Sequence, residues 1–365
     1  MRTVCKENMC AGCTACLDVC KKDAITIADS LAHYNAVIDE SKCVDCGACY
    51  KVCPNNRPAE LKEPLSWYQG FAQDEIRKGS SSGGAATAII KGFLANGGHV
   101  CSCVFEKGEF SFKIISDIED ASIFAGSKYV KSDPKGIFNN IRKLLKDGER
   151  VLFVGLPCQV AGLKNYVKDH DALYTVDLIC HGSPSPKLLD KYLGESGICL
   201  NEVVNVSFRD KHKFGLCVDS RRVVPSRVTD SYTRAFLASV DYTENCYSCR
   251  YATTARCSDI TLGDAWGCEK TEMEKGVSLI LCQTSKGEEL LENAGLMLTN
   301  ADVEVARSHN HQLVHPSVKH QGREVFFRVL ENGGSFRRAT FRAIPKDSAK
   351  QNIKYVLAKT CKKFR

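Results

Sequence analysis

The sequence predicts an α/β protein preceded by a small, cysteine-rich α+β region. Segments typical of helices and strands alternate between residues 85 and 193, as in a mostly parallel sheet with helices on its faces. Nine of the 21 cysteines lie within the first 53 residues. A polar, proline-punctuated stretch from Pro54 to Pro64 lies between these parts, as expected of a linker. We therefore expect a first domain over residues 1–60.

The composition excludes several classes of protein. The chain has 365 residues, of which 44% are hydrophobic and 25% charged, as in a globular protein of two or three domains. No apolar segment of a signal peptide follows Met1, and no run of 18 apolar residues occurs, so we expect a cytoplasmic protein without a transmembrane segment. In that reducing compartment, clustered cysteines are metal ligands rather than disulfides.

The amino-terminal cysteines follow the spacing C-x2-C-x2-C-x3-C twice, which is typical of bacterial ferredoxins with two 4Fe-4S clusters. In such ferredoxins the fourth cysteine of each run binds the other cluster. One predicted ligand set is therefore Cys10, Cys13, Cys16 and Cys53, and the other is Cys43, Cys46, Cys49 and Cys20. Two zinc sites are the alternative, although zinc sites space their ligands differently. Cys5 lies outside the pattern, and we interpret it as a packing residue.

The region after the linker supplies the α/β elements. The predicted helices are 85–94, 137–146, 161–167 and 187–193, and the predicted strands are 99–105, 151–155 and 173–180. Further strands are predicted within 208–224 and at 260–263 and 278–282.

A second cysteine group falls in this α/β region. Cys158 and Cys180 lie at the carboxyl ends of predicted parallel strands, the edge at which open α/β sheets bind ligands. Cys246 and Cys249 form a C-x2-C pair, with Cys257 and Cys268 as possible substitutes. A third 4Fe-4S cluster, a zinc site and inert buried cysteines are all compatible with this spacing.

A serine- and glycine-rich loop, Ser80 to Gly84, precedes the helix that begins at Ala85. Backbone N–H groups and the positive end of a helix dipole at such a loop favour a phosphate. A serine helix cap with a flexible loop is the alternative. The standard dinucleotide and P-loop motifs are absent.

Six motifs occur in the order found in the coenzyme F420 hydrogenase/dehydrogenase beta-subunit family, which the chain resembles over roughly residues 65–270. They are the serine loop, Gly126-Ser127-Lys128-Tyr129, Leu156-Pro157-Cys158-Gln159, Cys180-His181-Gly182, the Cys246/Cys249 pair, and the segment from Ser258 to Gly267 with Asp264 and Trp266. An amino-terminal ferredoxin domain is a common fusion in this family. His181 after Cys180 is similar to the bacterial branch, which places coenzyme F420 itself in doubt as the substrate.

The resemblance implies an α/β flavin domain over residues 65–335 and assigns roles to its motifs. Ser80, Ser81, Ser82, Gly83 and Gly84 become the FAD phosphate loop. Lys128 and Asp264 become flavin or substrate contacts, and Trp266 is either a ring-stacking residue or a core residue. Cys158, Cys180, Cys246 and Cys249 become ligands of the third cluster. His181 is either a proton donor or a core histidine.

The resemblance further implies an oxidoreductase that moves electrons between the 4Fe-4S clusters, FAD and a two-electron partner. That partner is coenzyme F420 or a small organic substrate, with a role in polysaccharide biosynthesis as one option, and ferredoxin or another electron-transfer protein is the expected donor. The alternative is an electron-transfer subunit that docks on a catalytic partner subunit and has no product chemistry of its own.

The last segment, residues 336–365, is predicted to be a basic tail. Residues 337–365 carry ten basic side chains and one acid, Asp347. The named basic residues are Arg337, Arg338, Arg342, Lys346, Lys350, Lys354, Lys359, Lys362 and Lys363. Binding to an acidic partner, binding to an anionic membrane surface and simple solvation are all compatible with such a run. No motif supports nucleic-acid binding.

Overall fold

The cysteine-rich part folds as two short helices and a two-stranded antiparallel ribbon. A computed structural model describes residues 2–168 and 170–362, with side chains described up to residue 358. The elements are α1 (Ala15–Val19), β1 (Ile25–Asp29), β2 (Tyr34–Ile38) and α2 (Ala48–Val52). Each helix starts just after a residue with left-handed backbone, Thr14 or Gly47, so the cysteine loop turns sharply into the helix. The predicted α+β region is confirmed.

The following segments form most of the α/β part. They are β3 (Ser66–Phe71), α3 (Asp74–Lys78), α4 (Ala85–Ala95), β4 (His99–Glu106), β5 (Glu109–Ile115), α5 (Ile137–Lys146), β6 (Val151–Val154), α6 (Pro157–Val167), β7 (Leu173–Leu178) and α7 (Pro186–Gly194). The predicted helices and strands of this stretch are confirmed, apart from shifts of a few residues at their ends. The sequence patterns missed β3 and β5.

The second half adds a small sheet, the rest of the large sheet and the carboxy-terminal helices. The elements are β8 (Val206–Asp210), β9 (Lys213–Val218), β10 (Arg221–Arg222), α8 (Ser231–Leu237), β11 (Ile260–Asp264), α9 (Lys270–Lys275), β12 (Ser278–Cys282), α10 (Ser285–Glu292), β13 (Met297–Asn300), α11 (Val303–His309), α12 (Arg323–Glu331), α13 (Phe336–Ala343) and α14 (Pro345–Lys362). Short 3-10 helices occupy Ile118–Phe124, Leu200–Glu202, Glu244–Ser248 and His311–Leu313.

The large sheet has eight strands in the order β13-β3-β12-β11-β7-β6-β4-β5. Its four central strands, β11, β7, β6 and β4, are parallel, whereas the pairings on both flanks are antiparallel. The expectation of a mostly parallel sheet is therefore wrong, and the sheet is mixed. The difference arises because the flanking strands join through hairpins or return from distant parts of the chain, which leaves no crossover pattern in the sequence.

Helices cover both faces of this sheet, and the cysteine-rich part packs on the helices of one face. Cys101 and Phe153 face α5 and α6, in the same core as Ala15. Val100 and Leu152, the next residues along the chain, face α4 on the opposite side. The alternation of side chains along each strand thus places the amino-terminal domain on a single face.

The predicted basic tail is not a tail. Phe336 and Ala339 of α13 are fully buried, in one core with Tyr192 of α7 and Tyr232 of α8. The apolar face of α13 therefore packs in the core of the α/β part. No domain boundary lies between residues 335 and 336. Lys363 and the side chains of Lys359 and Lys362 lie outside the described residues. Within the described residues, no helix is both long and apolar enough to cross a membrane.

Candidate functional site

The first predicted ligand set surrounds one buried cavity. Cys10, Cys13, Cys16 and Cys53 all line it, although Cys53 is distant from the others in sequence, and each is at most 8% exposed. The backbone N–H of Gly12 donates to Cys10 Sγ at 3.4 Å. Cys5 lines the same cavity, so it lies beside this ligand set rather than in unrelated packing.

The second ligand set lies nearer the surface. Cys46 is exposed, and Cys20, Cys43 and Cys49 are half-buried. Burial raises the pKa of Cys49, and the neighbouring thiols of Cys20 and Cys46 raise it further, which shows that residues of both cysteine runs approach one another. Cys53 thus lies with the first cysteine run, and Cys20 approaches Cys49 of the second run, as an exchange of the fourth cysteine requires; the two ligand sets stay predictions.

The second cysteine group also converges on one cavity. Cys158, Cys180, Cys246 and Cys249 line a space of about 230 Å³ between the amino-terminal domain and the α/β part. Cys158 begins α6 directly after β6, and Cys180 follows β7, so adjacent parallel strands deliver the two thiols. Cys257 and Cys268, the possible substitutes, are not among the described residues that line this space.

The chemistry of these four thiols fits a metal cluster. Burial raises the pKa of Cys180 to about 12, and the thiols of Cys246 and Cys249 contribute to the rise. Burial likewise raises the pKa of Cys158, with contributions from Cys249 and Cys180. Cysteine binds metals as the thiolate, so a cationic centre bound at this cavity would displace the protons of Cys158 and Cys180.

Two buried cations lie at this cavity. Lys131 is 5% exposed, and its Nζ donates to the carbonyl oxygen of Ala11, in the loop of the first cysteine set, at 3.1 Å. Its charge lowers the pKa values of Cys158 and Cys180, against the larger effect of burial. Arg256 is 1% exposed and lies 3.7 Å from the buried carboxylate of Asp177. Neither cation was predicted from the sequence.

A third cavity, of about 270 Å³, opens at the serine loop. Ser80, Ser81, Ser82 and Gly84 line it, and Gly84, the residue immediately before α4, has a left-handed φ of +89°. No side chain caps this helix, so the alternative of a serine cap is wrong. The N–H groups in the first turn of a helix lack intrahelical partners and suit an anion.

The loop leaves no space for a side chain at Gly83. A Cβ at this position would lie 2.5 Å from the backbone nitrogen of Ser278 and 2.6 Å from the carbonyl oxygen of Gly70. Glycine at this position therefore lets the loop pack directly on β12 and β3.

Two cations, Arg209 at the end of β8 and Lys211 in the turn that follows, hold the carbonyl side of the loop. Lys211 Nζ donates to the carbonyl oxygens of Ser80 at 2.5 Å and Ser82 at 3.2 Å. Arg209 Nη2 donates to the carbonyl oxygen of Ser81 at 2.9 Å. Because the carbonyl groups of three successive residues are held this way, the loop conformation is fixed by a distant segment that sequence patterns did not single out.

Asp264 and Lys128 also line this cavity. The two oxygens of Asp264 accept hydrogen bonds from Arg209, which outweigh burial and hold the pKa of Asp264 below its usual value. Lys128 Nζ donates to the carbonyl oxygens of Phe124 at 3.0 Å and Ala125 at 3.1 Å, and burial lowers its pKa. Asp264 is thus committed to Arg209, and Lys128 uses two of its three donor hydrogens on the fold.

His181 lies where the second and third cavities meet, since it lines both. Burial, with a smaller effect of His311, lowers its pKa to about 4. Gln312 Nε2 lies 2.7 Å from His181 Nδ1, a contact that fixes the orientation of the ring. At neutral pH this residue is therefore a neutral hydrogen-bond donor, not the imidazolium that an unperturbed histidine would supply.

Trp266 does not reach this cavity. Among the described residues its neighbours include His212, with ring centroids 5.3 Å apart, and His309, whose ring stacks at 5.7 Å. Its predicted contact with a cofactor ring has no support from the cavity lining and stays a prediction.

Comparison with known proteins finds two matching families. Residues 9–56 match the 4Fe-4S dicluster domain, and residues 148–304 match the family described as the carboxy-terminal region of the coenzyme F420 hydrogenase/dehydrogenase beta subunit. Both resemblances noted from the sequence are thereby confirmed, although the second match begins at residue 148 rather than near residue 65 and ends at residue 304 rather than near residue 270. The serine loop and Gly126-Ser127-Lys128-Tyr129 therefore lie outside the matched residues.

One solved structure with the same fold is a chain of the F420-reducing [NiFe] hydrogenase complex from Methanosarcina barkeri. The two chains are 16% identical, with a TM-score of 0.50, and the alignment covers 69% of this chain and 90% of the other. At that identity the likeness establishes a shared fold.

Proposed function

Because the chain belongs to the coenzyme F420 hydrogenase/dehydrogenase beta-subunit family and carries a 4Fe-4S dicluster domain, we propose that it is an iron-sulfur flavoprotein oxidoreductase. Its proposed cofactors are two clusters in that domain, a third 4Fe-4S cluster on Cys158, Cys180, Cys246 and Cys249, and FAD at the serine loop. When bound, the clusters would carry single electrons and the flavin would couple them to a two-electron reaction.

The observation that carries this proposal is that the three cavities adjoin one another. Ala11 and Asn55 line both the first and the second cavity. Cys180, His181, Gly182 and Ser183 line both the second and the third. The three sites adjoin one another, and each contains residue types that bind redox cofactors. This arrangement favours electron transfer between the sites over three unrelated binding functions.

Each part of the serine-loop cavity has a proposed role toward the flavin. The loop and the start of α4 hold phosphate, since helix N-termini bind anions. Arg209 and Lys211 keep the loop in place through its carbonyl groups. The apolar walls, which include Phe112, Phe124 and Leu262, exclude water from the rest of the ligand.

His181 has a proposed role toward the substrate. Gln312 contacts its Nδ1 at 2.7 Å, so the ring orientation is fixed. A neutral imidazole donor in a buried position polarises a carbonyl-type acceptor without giving up a full proton. Lys128 lines the same cavity as Arg209 and would stabilise negative charge that develops on a ligand.

The proposed two-electron partner is coenzyme F420 or a small organic substrate, and the proposed donor is ferredoxin or another electron-transfer protein. Cys46 is the exposed thiol of the second ligand set, which supports electron entry at that side of the dicluster domain. The expected role in polysaccharide biosynthesis, docking on a catalytic partner subunit and a cytoplasmic location remain predictions from the sequence.

Metal analysis of the anaerobically purified chain tests the third cluster. Three 4Fe-4S clusters give about twelve irons per chain, and the double variant C246S/C249S should retain about eight. The matched control is C257S, because Cys257 is buried nearby but does not line the cavity. Equal iron content in C246S/C249S and the unmodified chain would disprove the third site.

Flavin content tests the serine loop. Gly83→Ala should release flavin, since its Cβ would meet backbone atoms at 2.5 and 2.6 Å. Gly79→Ala is the matched control, because its Cβ would meet a carbonyl oxygen at an ordinary 3.9 Å. Full flavin content in Gly83→Ala would contradict the assignment.

Assays of the isolated chain separate an enzyme from an electron-transfer subunit. Oxidation of reduced coenzyme F420, or reduction of a small acceptor with reduced ferredoxin, would identify an enzyme. Activity that requires a second subunit would instead favour the electron-transfer role.

A further inference from the structure

A fourth cavity, of about 280 Å³, lies between α8, α13 and α14. It shares no lining residue with the three redox cavities among the described residues. Its walls come from the segment predicted to be a basic tail and from the segment before α8. Ligand binding at this cavity is therefore independent of the proposed redox function.

Positive charge dominates this cavity. Three arginines line it, Arg234, Arg337 and Arg338, against a single acid, Asp230. Asp230 is already committed to the fold, because Oδ1 accepts from the backbone nitrogen of Thr233 at 2.8 Å and Oδ2 from that of Leu216 at 2.8 Å. Asp230 therefore has a fixed position, and its single negative charge offsets only part of the charge of the three arginines.

Arg234 is fixed before any ligand arrives. Its side chain is 8% exposed, its Nη1 donates to Ser348 Oγ at 2.8 Å and its Nη2 donates to Ser231 Oγ at 3.0 Å. Asp347, at 3.4 Å, is 47% exposed and pairs only from the solvent side. Buried guanidinium groups held by neutral hydroxyls retain most of their attraction for an anion.

Arg337 faces the same space as Arg234. Burial and the charge of Asp230 raise the pKa of the Tyr192 phenol, whereas the charges of both Arg337 and Arg234 lower it. Both guanidinium groups therefore act on one phenol, and Tyr192 itself lines the cavity. Arg337 and Arg338 are exposed, so the cavity is accessible from solvent on their side.

Besides the arginines, the cavity has aromatic side chains that can contact an uncharged part of a ligand. Phe341 and Tyr355 add aromatic rings to its lining. Gln351 Oε1 accepts from the backbone nitrogen of Thr229 at 3.1 Å, which ties α14 to the loop before α8 and closes one side.

We propose that this cavity binds a small organic phosphate, with the phosphate held by Arg234, Arg337 and Arg338 and the organic part placed against Phe341 and Tyr355. Guanidinium groups bind phosphate oxygens through paired hydrogen bonds. Three guanidinium groups suit a doubly charged phosphate ligand better than a ligand with a single carboxylate. The basic carboxy-terminal segment is thus a ligand-binding element of the fold.

Calorimetric titration of the full-length holoprotein with pyrophosphate, at constant ionic strength, tests this site. The expected result is one binding site, with affinity at least tenfold lower in the double variant R337Q/R338Q. Both substituted side chains are exposed, so folding should be unaffected. The matched control R328Q/R342Q removes the same charge from exposed positions of α12 and α13 that do not line the cavity.

The remaining outcomes would overturn the site. Equal weakening in both double variants would mean diffuse attraction to a basic surface, and absence of binding would rule out a phosphate ligand. Sedimentation with vesicles that contain phosphatidic acid, without binding of pyrophosphate, would mean that the arginines serve a membrane surface instead.

Discussion

Arg209 and Asp264 form a double hydrogen bond, with Arg209 Nη1 2.6 Å from Asp264 Oδ2 and Arg209 Nη2 2.8 Å from Asp264 Oδ1. The pair joins the small sheet to the carboxyl end of β11, and Arg209 Nη2 also reaches the carbonyl oxygen of Ser81. One arginine thereby links three separate segments at the proposed flavin site.

We expect Arg209→Gln to lower both flavin retention and stability. Removal of one partner of a buried pair leaves the other charge uncompensated and costs about 3 kcal/mol or more. Flavin remaining after gel filtration and the melting temperature measure the two effects. Lys113→Gln is the control, since its pair with Glu106 is half exposed and surface pairs contribute about 1 kcal/mol or less. Similar losses in both variants would argue against the proposed linkage.

Lys131→Met should lower the reduction potential of the proposed third cluster. The Lys131 ammonium lies at the cavity of Cys158 and Cys180, and a buried positive charge favours the reduced, more negative form of a cluster. A shift of about 60 mV corresponds to a tenfold change for a one-electron couple. A redox titration followed by electron paramagnetic resonance provides the measurement.

Lys135→Met is the control for this experiment, because Lys135 is exposed. An unchanged potential in Lys131→Met, with iron content preserved, would show that the cation has a structural role only.

Asp241 should make the protein less stable as pH rises. It is fully buried, both its oxygens lack hydrogen-bond partners among the described residues, and burial raises its pKa to about 8. Between pH 4 and pH 8 the folded state therefore holds a proton that the unfolded state has released, so the free energy of unfolding falls across this range.

Asp241→Asn removes the titration and should flatten this dependence. The variant should match the unmodified chain near pH 4 and exceed it near pH 8, by at most about 5 kcal/mol. Melting temperatures across the range provide the measurement. Parallel pH profiles for the two proteins would refute the role of Asp241.

Phe336→Ala should destabilise the whole α/β part. Phe336 is fully buried in the core shared with Tyr192 and Tyr232, and truncation of such a side chain costs about 3–5 kcal/mol. Phe341→Ala, on the same helix, is the control because Phe341 is 41% exposed. Chemical denaturation distinguishes the two, and equal stability would mean that α13 is dispensable.

Local sequence predicts the eight proposed ligands of the amino-terminal domain. The spacing C-x2-C-x2-C is a property of one short loop, so the approach of Cys10, Cys13 and Cys16 follows from chain geometry alone. Helices and buried strands can likewise be predicted from the sequence, because their hydrophobic pattern repeats within a few residues. The family resemblance extended this reading to the serine loop, Lys128 and Asp264.

Contacts between distant segments had no such local signal. Cys158, Cys180, Cys246 and Cys249 come from three segments, and only the packing of adjacent strands places them on one cavity. Arg209 at the end of β8 and Lys211 in the turn after it belong to no motif, yet they hold the serine loop. The antiparallel flanks of the sheet were missed for the same reason.

The environment of each group was also decided by the tertiary structure. The sequence identified His181 but assigned it an ordinary pKa, which burial lowers to about 4. It identified the basic carboxy-terminal segment but not that Phe336 is buried beneath its arginines. Residue type and spacing are set by the chain itself, whereas burial, charge neighbours and accessibility arise only when segments far apart in sequence pack together.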